Sequence, residues 1–221
     1  MRASRRLPLE TLEPYLLAVP HPSFLPPDSP LLAPTPPIDW RALFGNDRPV
    51  EIEVGFGKGS FLVMQAQARP DTNYFGIEIE RKYTLLGATR IARRQLPNVK
   101  LACTDARWFV KERVAKASVS ALHVYFPDPW WKTRHRKRKL FTLAFADQCV
   151  RVLQGAGRLH FATDVAEYFA ETLVMLNGIA ELRSLPAPAS AAESMTNFER
   201  KYRQEGRSIH RAIFEKNIND D

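Results

Sequence analysis

The stretch from Phe126 to Lys139, opening Phe126-Pro127-Asp128-Pro129-Trp130-Trp131, puts three chemical capabilities side by side. Proline on each side of Asp128 restricts the backbone and keeps it out of helix, so the carboxylate is presented from a stiff turn. Trp130 and Trp131 offer flat faces on which a base can stack. Behind them, residues 132–139 carry six Lys/Arg, cations suited to phosphates. Together these features point to chemistry performed on a nucleic acid. A solvated charge run or a localisation signal would account for the cations but not for the Pro-Asp-Pro-Trp-Trp stretch joined to them.

A second constellation is spread over successive strand ends. Gly55-Phe56-Gly57-Lys58-Gly59 separates a short β run, Val50–Val54, from a helical stretch. Glycines there allow a tight turn and close backbone approach to a nucleoside. The GxGxG spacing is neither the dinucleotide fingerprint nor the Walker loop. Glu78 closes the next strand, about 20 residues on, where an acid can accept both ribose hydroxyls. Asp105 follows the third strand, where an acid can meet an adenine amino group. Glu53 stands inside the first strand, and a buried carboxylate there needs a partner or a cationic ligand. Acids in this number would repel the pyrophosphate of a dinucleotide. They suit S-adenosylmethionine, an adenosine bearing an amino acid and a cationic sulfonium.

From residue 49 onward strands and helices alternate. The pattern predicts strands at 50–54, 74–79, 99–103, 119–126, 158–163, 179–185 and 208–214, and helices at 60–69, 82–95, 106–116, 140–153 and 165–176. Such repeated units imply right-handed crossovers and an α/β fold: a mostly parallel seven-stranded sheet with helices on both faces. The last two strands lack a clear intervening helix, which predicts an antiparallel edge. Sheets of this kind bind ligands beyond the carboxyl ends of their strands, at the switch point in strand order. His123, His160 and His210 fall within strand patterns and read as structural. Residues 1–48 differ, because eight of the eighteen residues from Pro20 to Pro37 are proline. Proline forms neither helix interior nor central strand. A proline-rich arm over 1–48 with little regular structure is therefore expected ahead of one domain at 49–221.

The formal charge is +8, of which 132–139 supply +6. The excess is local, as a binding surface requires. Cys103 and Cys149 lack metal-ligand spacing, so neither zinc nor a disulfide framework is expected. No apolar run approaches the roughly 18–20 residues of a membrane span. Arg2, Arg5 and Arg6 precede no apolar h-region. A cytoplasmic protein without membrane contact is expected.

Taken together, Ile52-Glu-Val-Gly-Phe-Gly-Lys-Gly59, Phe75-Gly-Ile-Glu78, the block from Tyr125 to Arg138, Ala162-Thr-Asp164 and the segment from Thr196 to Lys201 resemble the bacterial tRNA (guanine-N7)-methyltransferases. The Pro-Asp-Pro-Trp block with its basic tail is the specific part, and the glycine loop is generic. The resemblance implies a Rossmann-like class I methyltransferase fold and S-adenosylmethionine as donor. It implies N7 of the guanosine at position 46 of the tRNA variable loop as acceptor. The sequence is compatible with a monomer or homodimer. It carries donor contacts onto Glu53, Glu78, Asp105 and Asp128. The loop glycines Gly55, Gly57 and Gly59 are expected beside the donor as well, and Asp128 is the expected catalytic carboxylate. Substrate contacts fall on Lys132, Asp164, Thr196, Asn197, Phe198 and Glu199. Thr196 with Glu199 three residues on also reads as a helix capping box, and both roles can hold. Trp131 departs from the family pattern, which has a histidine there, and the proline-rich arm matches none of it. The rival readings are an RNA-binding module without catalysis and a methyltransferase acting on another substrate.

Overall fold

The computed structural model describes residues 7–128, 139–186 and 205–218. Trp130, Trp131, Lys132 and the Thr196–Glu199 segment lie outside these residues. Eight strands form one sheet: β1 (Leu16–Leu17), β2 (Val50–Val54), β3 (Asn73–Glu78), β4 (Val99–Cys103), β5 (Val119–Tyr125), β6 (Leu153–Thr163), β7 (Leu182–Leu185) and β8 (His210–Lys216). Their spatial order is β1-β4-β3-β2-β5-β6-β8-β7. β1 through β6 pair in parallel, and β8 runs antiparallel to both β6 and β7. The antiparallel edge is as expected. The chain progresses outward from β2 to β4, then returns to place β5 on the other side of β2. The switch point therefore lies between β2 and β5.

The helices are α1 (Leu9–Leu12), α2 (Trp40–Phe44), α3 (Ser60–Ala68), α4 (Arg81–Ala92), α5 (Ala106–Arg113), α6 (Leu143–Val152) and α7 (Ala166–Asn177). One face of the sheet packs Val50, Ile52 and Val54 of β2 with Phe109, Phe145 and Tyr168 from α5, α6 and α7. The other face packs Tyr74 and Leu101 with Phe61 and Leu62 of α3 and with Leu85 and Ile91 of α4. Alternation along β2 consequently turns Glu51 and Glu53 toward the α3 side. Gly76 of β3 makes that packing possible. A Cβ there would stand 2.6 Å from Leu62 Cδ1 and 2.7 Å from Phe56 Cδ1.

Three differences from the sequence pattern have local causes. β6 begins at Leu153 instead of 158, because Leu153 pairs with Val119 before Ala156, at φ +60°, breaks the register. α6 starts only after Thr142, whose hydroxyl accepts from the Phe145 amide. The arm carries an eighth strand, β1, paired with β4, and Leu12 of α1 is wholly buried. Proline spacing hid these short elements, since a two-residue strand leaves no periodicity to read.

Candidate active site

A cleft of about 970 Å³ opens beyond the ends of β2, β3, β4 and β5. Glu53, Gly55, Gly57, Glu78, Asp105 and Asp128 all line it. Strands separated by dozens of residues thus deliver six of the expected side chains and turns to one place. Gly59 stands behind the loop, as the residue before α3. It adopts φ +72°, and a Cβ there would lie 3.3 Å from Gly87 Cα. Its part in the loop is packing and turning. Asp164 is at the end of β6 but outside the cleft lining, in an ion pair with Arg207 Nη1 at 2.8 Å.

The glycine loop is fixed by the neighbouring strand. Gly55, Gly57 and Gly59 have φ of +73°, +53° and +72°, a region that disfavours other residues. Glu78 Oε2 accepts from the Gly57 amide at 2.8 Å, and its Oε1 accepts from the Glu80 amide at 3.0 Å. Burial raises the Glu78 pKa above the usual carboxylate range, against the lowering effect of those amides. Asp105 caps α5 and pairs with Arg107 Nη2 at 2.8 Å. Burial raises its pKa, but the Arg107 pair outweighs this and holds the carboxyl below its ordinary value.

Glu53 is the unusual acid. It is 4 % exposed, and its Oε2 has no hydrogen-bond partner among the described residues. Burial, with the Glu78 charge added, pushes its pKa well above the ordinary carboxylate value. A buried carboxyl with one unpartnered oxygen in a cleft calls for a cation or a donor from the ligand. This is the fit that an amino-acid ammonium or sulfonium provides.

On the β5 side the wall is Tyr125, Phe126, Pro127 and Asp128. Phe126 adopts φ +52°, and its amide donates to the Ala162 carbonyl at 2.7 Å. That left-handed residue turns the chain out of the sheet, so Pro127-Asp128 projects over the cleft with Asp128 exposed. At the end of the basic run, Lys139 pairs with Glu171 and lies over the Tyr168 ring. Lys139 is therefore held within the protein.

Several lining residues were missed in the sequence. Tyr125 adjoins the Pro-Asp-Pro block, and Arg107 is two residues past Asp105, so proximity to a motif was an available signal. Ser23 had none. It reaches the cleft because Thr104 Oγ1 donates to the Pro20 carbonyl at 2.7 Å and His21 Nε2 lies 3.1 Å from the Ile79 carbonyl.

A crossover-linked parallel sheet with an antiparallel edge and a ligand cleft at its switch point defines a Rossmann-like class I methyltransferase. The fold is similar to a SAM-dependent O-methyltransferase from Thermotoga maritima (TM-score 0.54, 16% identity, 79% of this chain and 62% of that one). It is also similar to an aminoglycoside resistance methyltransferase (TM-score 0.53, 17% identity, 78% and 89%). A family model described as "Putative methyltransferase" matches residues 47–212. The tRNA (guanine-N(7)-)-methyltransferase of Rhodopirellula baltica is 42% identical over 190 residues, covering 81% of this chain and 70% of the relative. That of Geobacter metallireducens is 33% identical over 200 residues, covering 88% and 93%. The chain belongs to the tRNA (guanine-N(7)-)-methyltransferase family.

Proposed function

We propose that this protein methylates N7 of a guanosine in tRNA, with S-adenosylmethionine as donor, and that the target is position 46 of the variable loop. The observation that carries this reading is the convergence of Asp128, the glycine loop and the unpartnered Glu53 carboxyl on one cleft. Bound S-adenosylmethionine supplies an electrophilic methyl group on a sulfonium. Gly55 and Gly57 give its nucleoside close backbone approach, Glu78 accepts from ribose hydroxyls, and Asp105 lies where an adenine amino group can donate. Glu53 ionises against the donor's positive charge.

Guanine N7 has a lone pair and no proton, so no general base is needed. The residues must hold N7 in line with the methyl group and keep water out. Positive charge appears on the purine as transfer proceeds. A carboxylate speeds that step only if it lies closer to the purine than to the leaving sulfur. Asp128 takes this role: it follows the end of β5, whereas Glu53 and Glu78 belong to β2 and β3. It is exposed in the isolated protein, and a docked tRNA covers it, lowering the local dielectric and strengthening its field. Lys132, Asp164 and residues 196–199 contribute tRNA contacts. The run 132–138, which begins just past Trp131, neutralises phosphates.

The test is to incubate the protein with labelled donor and unmodified total tRNA, then map the methylated nucleotide. The expected product is 7-methylguanosine at position 46. Label that survives RNase treatment of the acceptor, or that sits on another base, overturns the reading.

A further inference from the structure

A chain of polar side chains runs from exposed Arg69 through buried Glu51 and His123 to half-buried Tyr125 in the cleft wall. Arg69 Nη2 donates to Glu51 Oε2 at 2.7 Å, and His123 Nε2 lies 2.9 Å from the same oxygen. His123 Nδ1 lies 3.0 Å from the Tyr125 hydroxyl. Glu51 and His123 are 7 % and 4 % exposed, so the bond between them forms in a low-dielectric interior where each partner matters. An ionised Glu51 only accepts, so His123 Nε2 carries the proton facing it. In the neutral ring this leaves Nδ1 to accept the phenol hydrogen of Tyr125.

Tyr125 occupies a mechanically decisive position. It is the last residue of β5, and the left-handed Phe126 follows it at once. A non-glycine residue in that region persists only where its surroundings over-determine it. Among the described residues, two supports are seen. The Phe126 amide bonds Ala162, and the Tyr125 side chain is pinned by His123 and by the edge of the Phe61 ring at 5.1 Å. Phe61 belongs to α3, the helix that the glycine loop opens, and its ring also lies 4.7 Å from that of His123.

We propose that Tyr125 is a positioning residue for the Asp128 turn, and that the Glu51–His123 pair sets Tyr125. The chain links the donor side of the cleft, through Phe61 and α3, to the acid-bearing turn on the acceptor side. The consequence for turnover rests on the function proposed above, whereas the positioning itself does not.

The experiment therefore reads both. Hydrogen exchange of the Phe126 amide reports the turn in the apo protein. Single-turnover methyl transfer reports its effect. Tyr125→Phe keeps the ring and the Phe61 contact but removes the hydroxyl. It should speed Phe126 exchange and slow transfer each by roughly three- to tenfold, the scale of one lost hydrogen bond. Exchange in β2 and the dissociation constant for S-adenosylmethionine should stay within twofold. His123→Asn places an amide where Nδ1 stood and retains the Tyr125 bond, while His123→Gln reaches Glu51 and loses Tyr125. Asn should preserve Phe126 protection better than Gln. Unchanged Phe126 exchange in Tyr125→Phe, or equal losses in the Asn and Gln variants, overturns the proposal. A wild-type protein that methylates no tRNA would remove only the turnover consequence, leaving the exchange result to decide.

Discussion

Glu78 Oε2 accepts a hydrogen bond from the Gly57 amide at 2.8 Å, tying the end of β3 to the loop that leaves β2. The acid expected to meet the ribose also shapes the turn expected to cradle the nucleoside. One side chain thereby couples loop geometry to ligand recognition.

Replacing Glu78 by Gln turns an amide N–H toward one of the two backbone amides that Glu78 now satisfies. The loop loses a charge-assisted bond worth about 1.5–3 kcal/mol. Donor affinity should fall at least tenfold by calorimetry, with a smaller drop in melting temperature. An affinity equal to wild type would detach Glu78 from the donor site.

Glu53 gives a distinct signature. Its raised pKa leaves the apo carboxyl holding a proton below that value, and a cation in the cleft favours the ionised form. Donor binding should release a proton and tighten as pH rises toward the raised pKa. Titration in two buffers of different ionisation enthalpy measures the release. Glu53→Gln, which has no proton to lose, should bind more weakly and show no such release. Equal release by the variant would place the proton elsewhere.

The sheet and the cleft acids were legible in the sequence because each strand in the 50–126 region ends at a motif residue. Glu53, Glu78 and Asp105 stand at or near strand ends that a parallel sheet must align. The polar chain of Glu51, His123 and Tyr125 was not legible. Glu51 lies 72 residues before His123, and only the register of β2 with β5, which pairs Glu51 with Ala121 and Glu53 with His123, brings it onto the face that His123 and Tyr125 share. Ser23 was hidden for a different reason. Its place is set by bonds to the backbone carbonyls of Pro20 and Ile79, and those carry no residue-type signal.

Acid should unfold the protein in two recognisable stages. Burial, with the neighbouring His123 charge added, lowers the His160 pKa from 6.5 to about 3. The unfolded chain therefore binds this proton first, and stability declines as pH falls from 6.5 toward 3. Burial raises the Glu51 pKa, but hydrogen bonds and charge from His123 and Arg69 outweigh it and hold the carboxyl at about 2. The stability Glu51 contributes is complete above 4.5 and is lost as pH falls from 4.5 toward 2. His160→Gln should flatten the urea midpoint between pH 6.5 and 4.5 and leave the steeper loss below 4.5. Superimposable profiles would show that His160 titrates alike in both states.

The basic run should govern tRNA affinity through phosphates. Lys139 is engaged by Glu171, so the informative replacement is Lys137→Ala with Arg138→Ala. The slope of log affinity against log salt should shrink by about one to two units, since each phosphate contact contributes about 0.7–0.9. Donor affinity should not change. A slope identical to wild type would place both residues away from the backbone of the RNA.

Asp128 separates donor binding from chemistry. Asp128→Asn keeps the size of the side chain and both flanking prolines, so the turn set by Phe126 persists. If Asp128 faces the purine, its charge acts mainly as positive charge leaves sulfur, and turnover should fall by roughly 2–4 kcal/mol of barrier. Donor affinity should stay close to wild type. If instead the carboxylate lies nearer sulfur, it stabilises the bound donor at least as much as the transition state. The Asn variant would then lose donor affinity and hold or gain turnover. Single-turnover rates at saturating donor, measured beside a direct binding titration, distinguish the two, because only the first arrangement leaves binding intact while transfer collapses.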